Sequence, residues 1–166
     1  MIIRDALPTE FAKVKEIRLA AYEEHAGKVP ESHWNALKQQ IIADEDTPGI
    51  ETIVAEVDGE IVGTAVLYPA ETSAYQGLVD NQLSYPELRK LAVSDKARGK
   101  GVAKALIQEC INRAKKKGYA SMGLHTADYM ETAMKLYEKI GFVRTPEEDF
   151  IPLEDGIVVK AFRITF

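Results

Sequence analysis

The chain predicts a single mixed α/β domain over residues 1–166, with its elements in the order β-α-α-β-β-β-α-β-α-β-β. Two observations carry this. Asp58-Gly59 separates two β-rich apolar stretches, 52–57 and 60–68, and that dipeptide is a strong hairpin signal. Further on, 88–93, 101–117 and 119–125 read as strand, helix and strand, a single β-α-β crossover. An early hairpin followed by one crossover is not the strict alternation of a doubly wound fold.

The elements follow in order. Residues 1–4 read as a short strand. Residues 9–22 read as a helix, with Thr9 as candidate N-cap and Phe11, Val14, Ile17, Leu19 and Ala21 as its apolar positions. Ser32 is the candidate cap of a second helix running to about residue 43. Residues 69–85 are expected to form a long loop. The helix 101–117 has the clearest amphipathic pattern, with Val102, Ala103, Leu106, Ile107, Cys110, Ile111 and Ala114 on one stripe. Lys115, Lys116 and Lys117 suit its negative C-terminal end, and Gly118 ends it. Residues 129–140 form a helix closed by Gly141, and 142–144 and 157–166 are the last two strands.

Composition sets limits on function. An apolar fraction of 46% and a charged fraction of 28% fit a soluble globular protein with a proper core. A net charge of -5 argues against a general nucleic-acid binder, which carries a basic face. Cys110 is the single cysteine, so no intramolecular disulfide forms, and its place on the helix stripe makes it an inert core thiol. The opening MIIRDALPTEF holds no signal-peptide apolar segment, and no apolar run approaches ~18 residues. A cytoplasmic location without membrane contact is the expectation. His25, His33 and His125 lack metal-ligand spacing, so no metal is expected.

The most informative stretch is RKLAVSDKARGKGVAKALI at 89–107. A strand carrying Leu91, Ala92 and Val93 runs through a polar turn into a helix start at Arg98-Gly99-Lys100-Gly101-Val102-Ala103. Small residues there clear the approach to backbone N–H groups. Those groups and the positive helix end suit a phosphate or pyrophosphate. Arg98 and Lys100 add positive charge. A Walker A loop fails, because Gly99-Lys100 is followed by Gly101 and not by Ser or Thr. A dinucleotide fingerprint fails too, because Lys104 takes the place of its last glycine. The bland alternative is a helix start with a solvated basic rim.

Arg98-x-x-Gly101-x-Ala103 resembles the acyl-coenzyme-A-binding loop of the GNAT N-acetyltransferases, Gln/Arg-x-x-Gly-x-Gly/Ala. A second segment, Ala133-Met134-Lys135-Leu136-Tyr137-Glu138-Lys139-Ile140-Gly141-Phe142, is similar to that family's A-x-x-L-Y-E-K-x-G-F. The two motifs fall in the family's order and on the right elements. The resemblance covers nearly the whole chain and implies a mixed, mostly antiparallel central sheet flanked by helices. One departure stands out. Met130 occupies the place where many members carry an Asn that holds the cofactor arm, which leaves Thr126 or Asp128 as polar substitutes.

The resemblance also implies a chemistry: an acceptor amine attacks the thioester of acetyl-coenzyme A directly, without an acyl-enzyme. It implies that the strand edge at Leu91, Ala92 and Val93 pairs with the pantetheine amides. The Val93 N–H then points at the thioester oxygen, and residues 98–103 with Lys104 cradle the pyrophosphate. Tyr137 is the candidate acid for the leaving thiolate; its other reading is a core residue on the stripe of Met130, Ala133 and Ile140. Glu87, six residues before Val93, is the candidate base; its other reading is an ordinary surface charge. The three histidines are further candidates for base work.

The expected acceptor is an amine of a small molecule or peptide. Glu23, Glu24, Glu31, Asp44, Glu45 and Asp46 favour a cationic one, or simply form a solvated face. Tyr22, Trp34, Tyr68, Tyr75 and Tyr85 either line the acceptor cleft or belong to the core. Besides the enzyme, a non-catalytic acyl-coenzyme-A sensor or scaffold and, more weakly, a nucleotide-binding regulator remain open, as does a homodimer.

Overall fold

A computed structural model describes residues 1–43, 47–71 and 83–166. Along the chain come β1 (Ile2–Asp5), α1 (Phe11–Glu23), α2 (Glu31–Ile42), β2 (Glu51–Val57), β3 (Glu60–Tyr68) and β4 (Glu87–Val93). Then follow α3 (Val102–Lys116), β5 (Ser121–Ala127), α4 (Glu131–Ile140), β6 (Val143–Arg144) and β7 (Val159–Thr165). This is the order the sequence predicts. The strands make a mostly antiparallel seven-stranded sheet, ordered β1-β2-β3-β4-β5-β7-β6. Much of the predicted loop 69–85 lies outside the described residues. The chain folds as two units, Met1–Leu67 with Lys90–Cys110, and Tyr68–Arg89 with Ile111–Phe166.

In the first unit the β2–β3 hairpin turns at Asp58 and Gly59, whose φ values of 51° and 77° are both positive, as a type I′ turn requires. β1 lies antiparallel on β2, with Ile3 opposite Ala55 and Arg4 opposite Val54. Val14 and Ile17 of α1 pack with Val54, Ile61 and Ala92. Each of these valine and isoleucine side chains, once buried, contributes about 1.5–3 kcal/mol. β3 is buried from Ile61 to its end, and buried Thr64 satisfies its hydroxyl by donating to the Ile53 carbonyl at 2.9 Å.

Both predicted N-caps are corrected. Thr9 sits inside a 3-10 turn, Pro8–Glu10, and the Glu10 carboxylate accepts the Leu7 N–H at 2.7 Å. Ser32 lies within α2, because Pro30, with an extended ψ of 148°, is the N-cap, and its carbonyl accepts the Trp34 N–H. In each case the nearby proline sets the helix entry.

In the second unit β5 runs parallel to β4, with Glu87 opposite Gly123 and Leu88 opposite Leu124. Along its whole length β5 pairs antiparallel with β7, from Ser121 opposite Thr165 to Ala127 opposite Val159. Two helices end in the same way. The Gly118 N–H donates to Lys115 and the Tyr119 N–H to Ala114; Gly141 donates to Glu138 and Phe142 to Tyr137. These are Schellman closures, and Gly118 and Gly141 take the positive φ they need. Cys110, the last residue of the first unit, is buried, as expected of a core thiol. Among the described residues no helix is long and apolar enough to cross a membrane.

Candidate functional site

The first group of predicted site residues lies on the latter half of β4 and the start of α3. Lys90 has φ +55° in the middle of β4, a left-handed conformation that a non-glycine residue rarely adopts in a strand. Beyond that kink come Leu91, Ala92 and Val93, with Ala92 buried and the other two partly so. The strand then turns: the Ser94 N–H donates to the Val62 carbonyl at 2.8 Å, and Asp95–Ala97 form a 3-10 turn.

The predicted phosphate loop follows. Gly99 and Gly101 have φ of +74° and +78°. A Cβ built on either meets no heavy atom within 4 Å, so the space above both is open. Gly101 is not the first residue of the helix, as its left-handed φ excludes it. It stands just before α3, and its carbonyl accepts the Ala105 N–H at 3.0 Å. The N–H groups of Val102, Ala103 and Lys104 therefore have no acceptor within the helix. Lys100 and Lys104 are exposed beside them. Arg98 is exposed too, and its guanidinium pairs with Glu24 at 2.6 Å and with Asp95 at 3.2 Å. Such exposed pairs are weak, so Arg98 remains exchangeable.

The second group lies in the other unit. Glu87 at the start of β4 is only 2% exposed. Its Oε1 lies 3.1 Å from His125 Nδ1 on β5 and accepts from Arg89 Nε at 3.1 Å. Arg89 in turn lies 4.0 Å from the ring centre of Tyr68. The other His125 nitrogen, Nε2, donates to the Glu148 carbonyl at 2.9 Å, and its ring meets Phe150 at 5.4 Å. Burial pulls the His125 imidazole down more than any other single influence. The hydrogen bond and charge of Glu87, with the Glu148 carbonyl, together outweigh it and raise His125 above 6.5.

Tyr137 on α4 is buried, its ring edge-on to Phe142 at 5.9 Å and tilted against Phe162 at 6.4 Å. Met130 caps α4 through its carbonyl, which accepts the Met134 N–H. Of the two polar substitutes, Asp128 accepts the Val158 N–H at 3.1 Å. Thr126 is buried, and its hydroxyl has no hydrogen-bond partner among the described residues.

The other candidates fall elsewhere. His33 is buried in α2, and His25 is pulled below its ordinary value by burial and then by the Lys28 charge. Among the described residues no group of three or more His, Cys, Asp or Glu could hold a metal ion. Asp44, Glu45, Asp46 and Tyr75 lie outside the described residues. Three features escape the sequence reading: the Lys90 kink, the Arg89 partner of Glu87, and the Glu148 carbonyl. Only Arg89 left a signal, since residues two apart on a strand share a face.

Comparisons with known proteins identify the family and the fold. A family model described as Acetyltransferase (GNAT) family matches residues 11–142. The human protein N-acetyltransferase 8B is 33% identical over 97 residues, which cover 58% of this chain and 40% of that protein. The chain thus spans well under half the length of that relative. Among solved structures, a ribosomal-protein-alanine N-acetyltransferase from Brucella melitensis superposes with a TM-score of 0.69 at 18% identity, covering 100% of both chains. An acetyltransferase from Bacillus anthracis str. Ames, solved with acetyl coenzyme A, reaches 0.57 at 23% identity, over 73% of this chain and 65% of that one.

Proposed function

The chain belongs to the Acetyltransferase (GNAT) family, and from that premise we propose that it transfers the acetyl group of acetyl-coenzyme A to a primary amine of a small molecule or peptide. One observation carries the reading: the left-handed pair Gly99 and Gly101, with open space above both, at the start of α3. A pyrophosphate needs close approach to backbone N–H groups, and only residues without Cβ leave that approach clear. The residues therefore fit the cosubstrate, which supplies an acetyl group already activated as a thioester.

The protein's own groups do the rest. Val102, Ala103 and Lys104 offer their N–H groups to the pyrophosphate, and Lys100 and Lys104 add charge. The backbone of Leu91, Ala92 and Val93 holds the pantetheine arm as an added strand would be held. The Val93 N–H donates to the thioester oxygen as negative charge grows there. Glu87 accepts the proton that the acceptor nitrogen loses as its bond to the acetyl carbon forms. Tyr137 donates the proton that the sulfur takes as the carbon–sulfur bond breaks. A phenol near pKa 10 and a thiol near 8 to 9 are close enough for that transfer.

The test is a screen of an amine library with acetyl-coenzyme A, scored by thiol release, beside calorimetry with acetyl-coenzyme A and with nicotinamide dinucleotides. Amine-dependent thiol release and selective binding of acetyl-coenzyme A are expected. Binding without turnover across a broad library would refute the enzyme in favour of a sensor or scaffold. Selective dinucleotide binding would refute both.

A further inference from the structure

The mechanism above uses Glu87 but leaves unused the buried groups around it. His125 is the most constrained of these. Its side chain is 1% exposed, and both ring nitrogens face oxygens. Nε2 meets a backbone carbonyl, which can only accept, so Nε2 carries a proton. Nδ1 meets the carboxylate oxygen that also takes Arg89 Nε–H. A carboxylate facing a guanidinium favours its ionised form, so it too is an acceptor toward His125. Only the imidazolium satisfies both contacts.

We propose that His125 is a positioning residue for Glu87: as an imidazolium it donates Nδ1–H to the carboxylate and Nε2–H to the Glu148 carbonyl, fixing Glu87 and joining the segment 146–150 to β5. The proposal rests on the reading of Glu87 as base. The tie joins three pieces distant in sequence: β4 through Glu87, β5 through His125 itself, and the turn through Glu148. Phe150 covers the ring from one side and bridges back to Val159 of β7. A neutral imidazole has one N–H, so its loss of a proton points a lone pair at one of two acceptor oxygens and breaks one bond.

The charged neighbours set the direction. Glu87 favours the imidazolium, and Arg89 opposes it. Asp149, beside Glu148, feels the His125 charge and is itself bonded to Arg144. The folded-state value of His125 is raised above 6.5. The tie is therefore intact below that value and is lost as pH rises through the folded value.

The test combines imidazole NMR with turnover. The probe is acetyl-coenzyme A with the amine giving the fastest thiol release in the screen. In the intact protein both His125 nitrogens are protonated below a titration midpoint that lies above 6.5, and Glu87→Gln lowers that midpoint. A neutral His125 ring, or a midpoint that Glu87→Gln leaves unmoved, overturns the proposal. In turnover, the wild type loses rate on the alkaline side with the His125 midpoint.

His125→Gln places its donor where Nε2 stood and cannot hold Glu87, so it slows by about 10- to 100-fold, with that alkaline limb gone and KM for acetyl-coenzyme A little changed. His125→Asn places its donor where Nδ1 stood and recovers much of the rate. A merely structural role would instead lower stability in both variants and spare the pH profile. Failure of the proposal leaves Glu87→Gln slow and His125→Gln fast. Failure of the base reading leaves Glu87→Gln itself fast.

Discussion

Gly63 on β3 offers the sharpest test of how the fold carries the site. A Cβ placed there would sit 2.7 Å from Val102 Cγ1, 3.1 Å from Leu106 Cδ1 and 3.4 Å from the Ala92 carbonyl. Ordinary carbon contacts lie at about 3.5–4.0 Å, so the nearest falls short by roughly 1 Å. Val102 cannot simply rotate away, because a β-branched residue in a helix has one strongly preferred χ1. Leu106 is fully buried and has no solvent to swing into. The first turn of α3 must therefore move. Gly63→Ala should cost about 1–3 kcal/mol, as overpacking does. For a chain of this size that is about 2–4 °C in Tm for each kcal/mol. Because that same turn presents the N–H groups of the proposed phosphate loop, acetyl-coenzyme A affinity should fall as well. Removing Val102 Cγ1 makes room, so Gly63→Ala with Val102→Ala should be more stable than the two single costs added, by at least about 0.5 kcal/mol. Urea melts of the four proteins give this coupling directly. Strictly additive costs, or a Gly63→Ala protein melting like the wild type, would show that α3 is not seated on β3 through Gly63.

Three further outcomes follow from named contacts. Gly101→Glu should abolish binding of acetyl-coenzyme A by calorimetry while the protein stays folded by circular dichroism, since its Cβ meets nothing and the backbone cost of a left-handed residue is only about 1–2 kcal/mol. Tyr137→Phe keeps the ring between Phe142 and Phe162, so it should slow single-turnover transfer by about 10²–10⁴-fold with cofactor affinity unchanged; full turnover with a lowered Tm would make the residue structural. The Arg4 hydrogen bond holds the Glu10 carboxyl at about 2, well under its ordinary 4.5, so the pair's stabilisation is present above the ordinary value and is lost as pH falls toward the folded one. In Arg4→Met the Glu10 carboxyl, followed by carbon NMR, should titrate back toward 4.5, and an unmoved titration would place the cause elsewhere.

What could be read from the sequence is what is set locally. Asp58-Gly59 specifies its turn by conformational preference alone, and the strands on either side need no distant partner to be recognised. The stripe on α3 and the closing glycines Gly118 and Gly141 are local in the same sense, since helix period and C-terminal hydrogen bonds span a few residues. The caps at Thr9 and Ser32 failed although they too are local. There the residue type was right for a cap, but Thr9 was taken into the 3-10 turn that Pro8 opens, and Pro30 already stood as the cap of the second helix. The Lys90 kink left no trace, because lysine in a strand gives no sign that its φ will be positive.

Glu87 marks the boundary most clearly. An acid at a strand start reads as surface chemistry, yet this one is buried, and a buried carboxylate must find donors. One donor, Arg89, stands two residues away on the same face and can be inferred from the period of a strand. The other, His125, is 38 residues away and reaches Glu87 only because Glu87 registers opposite Gly123. A slip of one residue in that parallel pairing would turn His125 to the opposite face of the sheet. Register is decided by the packing of the whole unit, so asking the sequence for the cation of every buried acid finds Arg89 and stops one partner short.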